Sequence, residues 1–149
     1  MLHVLLHMAR HDKPFTSEQI GHMLSTNPTL VRRTMAGLRE AGYVRSEKGR
    51  GGGWSISCDL NTTTLENIYT AIGEPRLFAL TLGGDGDNSS CAVLRSVSNA
   101  LGKTFENAET MIRARFTSIT LADLLKDFDA ICVREGFEYS SLQDKRHHI

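Results

Sequence analysis

The 149-residue sequence predicts a mainly α-helical fold with one small β-hairpin, and three observations carry that expectation. Apolar residues recur every three or four positions through most of the chain, the period of an amphipathic helix. A glycine string, Gly49 to Gly53 broken only by Arg50, lies between two short alternating runs, the signature of a hairpin. One uninterrupted helical period then runs from Cys91 to about Phe116, roughly seven turns at 3.6 residues each.

The elements follow in order. Leu2, Leu5, Leu6 and Ala9 recur at helical spacing and predict a first helix with those residues inward. Pro14 makes a turn, after which Thr16 or Ser17 caps a second helix that buries Ile20, Leu24 and Met23. Asn27 is the N-cap of a third, with Pro28 at the first helical position, where a missing N–H costs nothing. Leu30, Val31, Thr34, Met35 and Leu38 form its expected buried stripe, and Gly42 ends it. Two short helices joined by little more than Ser25-Thr26-Asn27 read as a helix-turn-helix, and a hairpin directly after the second of them reads as a wing. Thr63 or Thr64 caps a further short helix carrying Leu65, Ile68, Tyr69 and Ile72, and Pro75 breaks the pattern. Residues 83–90 contain no apolar side chain and are expected to be a loop. After the long helix, Thr120 caps a last short one, and the tail is polar. The expected organisation is a winged helix-turn-helix domain over 1–74, a loop over 75–90, dimerisation and sensing helices over 91–134, and a flexible tail over 135–149.

Charge supports a division of labour. The net charge is zero, but residues 1–60 carry eight Lys/Arg against five Asp/Glu, while residues 61–149 carry nine against twelve. A basic first half suits a DNA-reading module. No apolar run approaches the roughly 20 residues of a membrane span, and the opening MLHVLLHMAR lacks the basic start and cleavage site of a secretory signal. The protein is expected to be cytoplasmic, with no membrane partner. Cys58, Cys91 and Cys132 are odd in number and widely spaced, which is neither a disulfide framework nor a zinc motif. No nucleophile–base set or carboxylate pair suggests an enzyme.

The glycine string raises the question of a nucleotide. Phosphate cradles run from glycine turn into helix. Here the turn leads into Trp54-Ser55-Ile56, which is strand-like, and no GK[ST] ending follows. The remaining role is at a wing tip. Gly51 and Gly52 let bare backbone approach a DNA phosphate, and Lys48 and Arg50 reach the backbone or a minor groove.

LVRRTMAGLREAGYVRSEKGRGGGW followed by TTTLENIYTAI resembles the Rrf-two family of bacterial winged-helix transcriptional regulators, and the resemblance runs from about residue 4 to 125. It implies a homodimer binding imperfect palindromes, with the third helix in the major groove, the wing in the minor groove, and the long helix as dimer element. Family members carry several more residues ahead of HVLLHMA, so either the start is misassigned or the first helix is short. The family's iron–sulphur sensors carry three closely spaced cysteines before and into the long helix, whereas this chain has only Cys91 there. A cluster needs about four ligands; no cofactor is expected.

Residue by residue, Arg32 and Arg33 open the exposed face of the third helix, one as a guanine reader and the other as a phosphate clamp, in an order the sequence leaves open. Thr29 is either a donor to phosphate or base or a surface residue, and Arg39 and Arg45 lie on the phosphate side or are solvated. Val93, Val97, Leu101, Phe105, Ala108, Ile112 and Phe116 form the stripe that a second copy would cover. Cys91, beside a helix N-terminus that favours thiolate, is either a redox sensor or a small residue filling a junction. Cys58 and Cys132 are expected to be structural. His3, His7 and His11 repeat every four residues, a spacing open to a metal, but no third ligand is in view and no metal site is assigned. The functional expectation is a homodimeric repressor relieved through Cys91 or a small-molecule effector. The alternatives are a winged-helix module that binds a protein partner, or a regulator controlled by an iron–sulphur cluster.

Overall fold

The structure, a computed structural model, describes residues 1–49, 51–78 and 92–136. Arg50, the 83–90 stretch, Cys91 and the tail from 137 lie outside the described residues. Among the described residues eight elements occur, in the order α1 (Leu2–Ala9), α2 (Ser17–Met23), α3 (Pro28–Glu40), β1 (Val44–Glu47), β2 (Gly53–Ile56), α4 (Leu65–Ala71), α5 (Ala92–Phe116) and α6 (Leu121–Glu135). The winged helix-turn-helix order predicted from sequence is present.

Local chemistry sets the helix ends. The Thr16 hydroxyl accepts from the Gln19 backbone N–H at 3.2 Å while the Gln19 side chain accepts from Thr16 N–H, a reciprocal capping box that starts α2. Asn27 Oδ1 accepts from Thr29 N–H at 2.7 Å, with Pro28 at the first helical position of α3. At the other end of α3, Gly42 N–H donates to Arg39 O and Tyr43 N–H to Leu38 O, both at 2.9 Å. This is a Schellman cap, and it needs the left-handed φ of +82° that Gly42 supplies. The chain is thereby turned straight into β1.

The core lies under α1, α2, α3 and the hairpin. Val4, Leu5, Met8, Ile20, Val31, Met35, Leu38, Val44, Ile68 and Leu121 are buried. Two expectations need correction. In α1 the buried face is Val4, Leu5 and Met8, with Leu2, Leu6 and Ala9 only half-buried. In α3 the buried face is Val31, Met35 and Leu38, whereas Leu30 is 53% exposed. Periodicity identifies a helix but leaves a wide apolar face whose exact centre depends on what packs against it.

α6 is longer than the short helix expected, running to Glu135 and ending on Gly136 in the left-handed conformation. It is tied back to the winged domain. Leu65 N–H donates to Ile119 O and Leu121 N–H to Thr63 O, both at 2.9 Å, and Arg10 pairs with Asp129. The α6 start is another capping box, in which Thr120 Oγ1 donates to Asp123 Oδ2 at 2.7 Å. The Thr120 hydroxyl, then its backbone N–H, hold the Asp123 carboxyl below the usual carboxylate range. A depressed acid contributes stability that is complete above its unfolded value, about 3.9, and lost as pH falls through the folded one. Asp123→Asn is therefore expected to destabilise the protein at neutral pH by a deficit that shrinks as pH falls below the unfolded value of about 3.9. Urea unfolding at neutral pH and at successively lower pH checks this; a deficit that does not change with pH would exclude the carboxylate as the cause.

The C-terminal end of α5 docks on α4. Arg113 donates to Glu66 at 2.8 and 2.5 Å and to Glu74 at 2.9 and 3.3 Å, and its guanidinium lies 5.4 Å from the Tyr69 ring centroid. The Glu66 and then the Glu74 hydrogen bonds raise the Arg113 pKa further, so the guanidinium stays charged.

Candidate nucleic-acid interface

One face of the winged domain gathers the basic residues. It comprises the first turn of α2, the outer side of α3 and the β1–β2 hairpin. The hairpin is antiparallel, with Val44 opposite Ile56 and Glu47 opposite Gly53. Its position is set by a contact the sequence does not announce. Phe15, just ahead of α2, bridges to Trp54, N–H to O at 3.0 Å and O to N–H at 2.9 Å. The Trp54 indole N–H also donates to Ser17 Oγ at 3.1 Å in a buried hydrogen bond. The wing is thus fastened to the start of α2 instead of swinging on its strands.

These contacts explain most of the glycine string. A Cβ on Gly52 would run into Glu47 O, and one on Gly53 would lie 2.5 Å from Phe15 O. Both positions need glycine for close backbone approach. Gly51 differs: it is exposed at a φ of +84° with nothing nearby, so its bare backbone remains open to a phosphate.

Charge on this face is divided between committed and uncommitted groups. Arg32 donates to Glu18 Oε1 at 2.7 Å, and Arg45 to Glu47 at 3.3 Å. Arg33, Arg39 and Lys48 are exposed and have no ion-pair partner among the described residues. Thr29 and Leu30 are exposed one turn before Arg33, so Thr29, Leu30 and Arg33 share the outer face of α3. Arg32 instead borders a groove of about 310 Å³ between α2, α3 and the hairpin, lined also by Glu18, Glu47 and Trp54. Glu18, Leu30 and the Phe15 bridge are the features that sequence reading missed. The first is fourteen residues from its partner, the second was assigned to the core, and the third is a single backbone pair.

The remaining expected sites sit elsewhere. On α5, Val93, Val97 and Leu101 are exposed, Phe105, Ala108, Ile112 and Phe116 half-buried. The Phe116 ring lies 5.9 Å from Tyr69 and the Phe105 ring 5.3 Å from Phe78, so these two have partners within their own chain. The histidine repeat does not converge: His3 and His7 Nε2 atoms are 2.8 Å apart, while His11 stands edge-on to Phe15. Arg50 and Cys91 lie outside the described residues.

A model of the Rrf2 family, described as iron-dependent transcriptional regulator, matches residues 1–127. The chain belongs to the Rrf2 family. It is 30% identical to YwnA of Bacillus subtilis over 122 residues, covering 81% of this chain and 89% of YwnA. It is 29% identical to the HTH-type transcriptional regulator IscR of Vibrio campbellii over 146 residues, 97% of this chain and 77% of that one. The crystal structure of a Lactobacillus plantarum protein superposes with a TM-score of 0.64 over 94% of both chains, at 24% identity, and supports the fold. The chain is therefore an Rrf2-type DNA-binding transcriptional regulator, and no helix among its described residues is long and apolar enough to cross a membrane.

The family description implies iron. Among the described residues no group of three or more His, Cys, Asp or Glu is placed to hold a metal ion. Cys58 is a half-buried thiol packed against the winged-domain core, and Cys132 is a half-buried thiol on α6. The described donors alone do not make an iron centre; Cys91 and the 83–90 stretch lie outside the described residues.

Proposed function

We propose that this Rrf2 regulator is a cytoplasmic homodimer that represses by occupying palindromic promoter sites. The observation that carries the reading is the uncommitted basic face: Arg33 with Thr29 on α3, Lys48 on the wing, and Arg39 toward the α3 C-terminus. In this reading α3 enters the major groove. Arg33 reads a base, and Thr29, Arg39 and Arg45 lie toward phosphates. Lys48, with Arg50 and the exposed Gly51 backbone, follows the sugar-phosphate chain into the minor groove.

A second copy supplies the other half-site. Val93 is 72% and Val97 46% exposed on the N-terminal part of α5, with Leu101 continuing the stripe. Covering these side chains with the same helix of a partner sets two α3 helices about one DNA turn apart, roughly 34 Å. Val97→Lys would place two charges in that contact. The variant is expected to sediment as a monomer at micromolar concentration and to lose most operator affinity. A wild type that is itself monomeric, or a variant that stays dimeric, would refute the assignment.

Relief of repression is assigned to Cys91 or to a small molecule near the dimer helices. In the thiol route the Cys91 thiolate attacks peroxide, becomes a sulfenic acid and releases hydroxide. The experiment is selection of genomic DNA fragments by the purified protein, reduced and after mild peroxide. A palindrome enriched only in the reduced sample, and in both samples with Cys91→Ser, supports regulator and sensor together. The same palindrome in both wild-type samples keeps the regulator and moves the signal to a ligand. No enrichment in either counts against sequence-specific binding.

A further inference from the structure

The Arg32–Glu18 pair places a carboxylate on the DNA-facing surface, where a phosphate chain would repel it. Its two side chains are 57% and 59% exposed, so the pair adds little to stability. Its position is what matters. Glu18 stands in the first turn of α2, beside the capping box of Thr16 and at the mouth of the groove that Arg32 borders. The positive end of the α2 dipole keeps a negative charge favourable there, and Glu18 Oε1 accepts from one guanidinium nitrogen, Nη2 of Arg32. Arg33, the adjacent residue on α3, has no such tether among the described residues.

We propose that Glu18 is a specificity-determining positioning residue, which holds Arg32 back from phosphate so that its remaining donors reach only a correctly placed base. The inference rests on the DNA-binding reading above and deepens it. The physical reason is competition for one guanidinium. To clamp a phosphate on arbitrary DNA, Arg32 must leave Glu18, and the abandoned carboxylate then faces the negative potential of the duplex. On a cognate site Arg32 keeps Glu18 and turns its free N–H groups toward a guanine acceptor, so nothing is abandoned. Discrimination thus comes from a cost placed on the wrong DNA. Because non-specific binding is almost wholly electrostatic, that cost falls most heavily on it.

The test is Glu18→Gln in the full chain, with Kd measured against the duplex enriched by selection and against a scrambled duplex of equal composition, over a salt series. Non-specific affinity is expected to rise about tenfold and cognate affinity by no more than about threefold. The log–log salt slope on scrambled DNA should steepen by about one contact per protomer, near 0.9 each. Glu40→Gln, which removes an exposed carboxylate from the far end of α3, should shift both duplexes by one common factor. In an Arg32→Gln background the Glu18→Gln effect on the ratio should vanish, because no guanidinium remains to be held. An unchanged cognate-to-scrambled ratio in Glu18→Gln, or a changed ratio that survives Arg32→Gln, would overturn the proposal while leaving the regulator reading intact. A wild type with no preference for the enriched duplex would remove that reading, and this inference with it.

Discussion

Arg33→Ala is expected to weaken binding to the selected duplex far more than any other single change on the α3 surface. Arg33 is exposed, free of ion pairs among the described residues, and one turn beyond Thr29 on the same face. A bidentate guanine contact contributes about 1–3 kcal/mol of discrimination. A two-fold dimer makes it twice, so the loss amounts to roughly thirtyfold to twenty-thousandfold in Kd. Binding to scrambled DNA should fall much less, by the one charge lost per protomer. Arg33→Lys sharpens the test, because it restores the charge without the planar fork. Non-specific affinity should recover and cognate affinity should not. Equal losses on both duplexes would make Arg33 a phosphate contact instead of a reader. Arg32→Ala is expected to cost less, since Arg32 comes to DNA already engaged with Glu18.

The second large effect is on stability. Leu38→Ala is expected to destabilise the protein by about 2–5 kcal/mol, because a fully buried leucine leaves a cavity that rigid neighbours fill only in part. Leu38 also sits where α3 turns into the hairpin, its carbonyl accepting the Tyr43 N–H that closes the Schellman cap. Leu30→Ala, the same change eight residues earlier on the same helix, should stay within about 0.5 kcal/mol. Urea unfolding at one fixed protein concentration measures both, since a dimer's stability depends on concentration. Similar costs at the two positions would contradict the orientation of α3 described here. Leu30→Ala should show its effect in DNA preference instead, at a base pair whose thymine methyl the side chain covers.

Much of this architecture was legible because its determinants are local. Asn27-Pro28 begins α3 and Gly42 ends it through hydrogen bonds that span two to five residues, and the sequence contains every partner. The same holds for Thr16, Thr64 and Thr120 at their helix starts, where each cap lies three residues from the group it satisfies. The α5 period needed only that apolar residues recur over 25 positions. Where the signal was weaker than the pattern, errors followed. The first-helix stripe was read one position off, because Leu2, Val4, Leu5, Leu6 and Met8 leave hardly any polar face to mark the outside. The last helix was cut short, because Asp127, Asp129 and Arg134 thin its apolar period toward Glu135.

The candidate interface divides along the same line. Sequence alone identified which residues are basic and which element carries them: Arg32 and Arg33 on the third helix, Lys48 at the hairpin. It also set the glycines at a turn and not at a nucleotide. Only the tertiary structure separated the two arginines, by bringing Glu18 of α2 against Arg32 and leaving Arg33 to solvent. Only it showed that Gly53 yields to the Phe15 carbonyl and that Trp54 is fastened to Ser17. Caps, turns and periods are contests between neighbours in the chain and are written in its order. Pairing of a charge, burial of one face of a helix and the seating of a wing depend on which distant segment arrives there. Packing of the whole chain decides that.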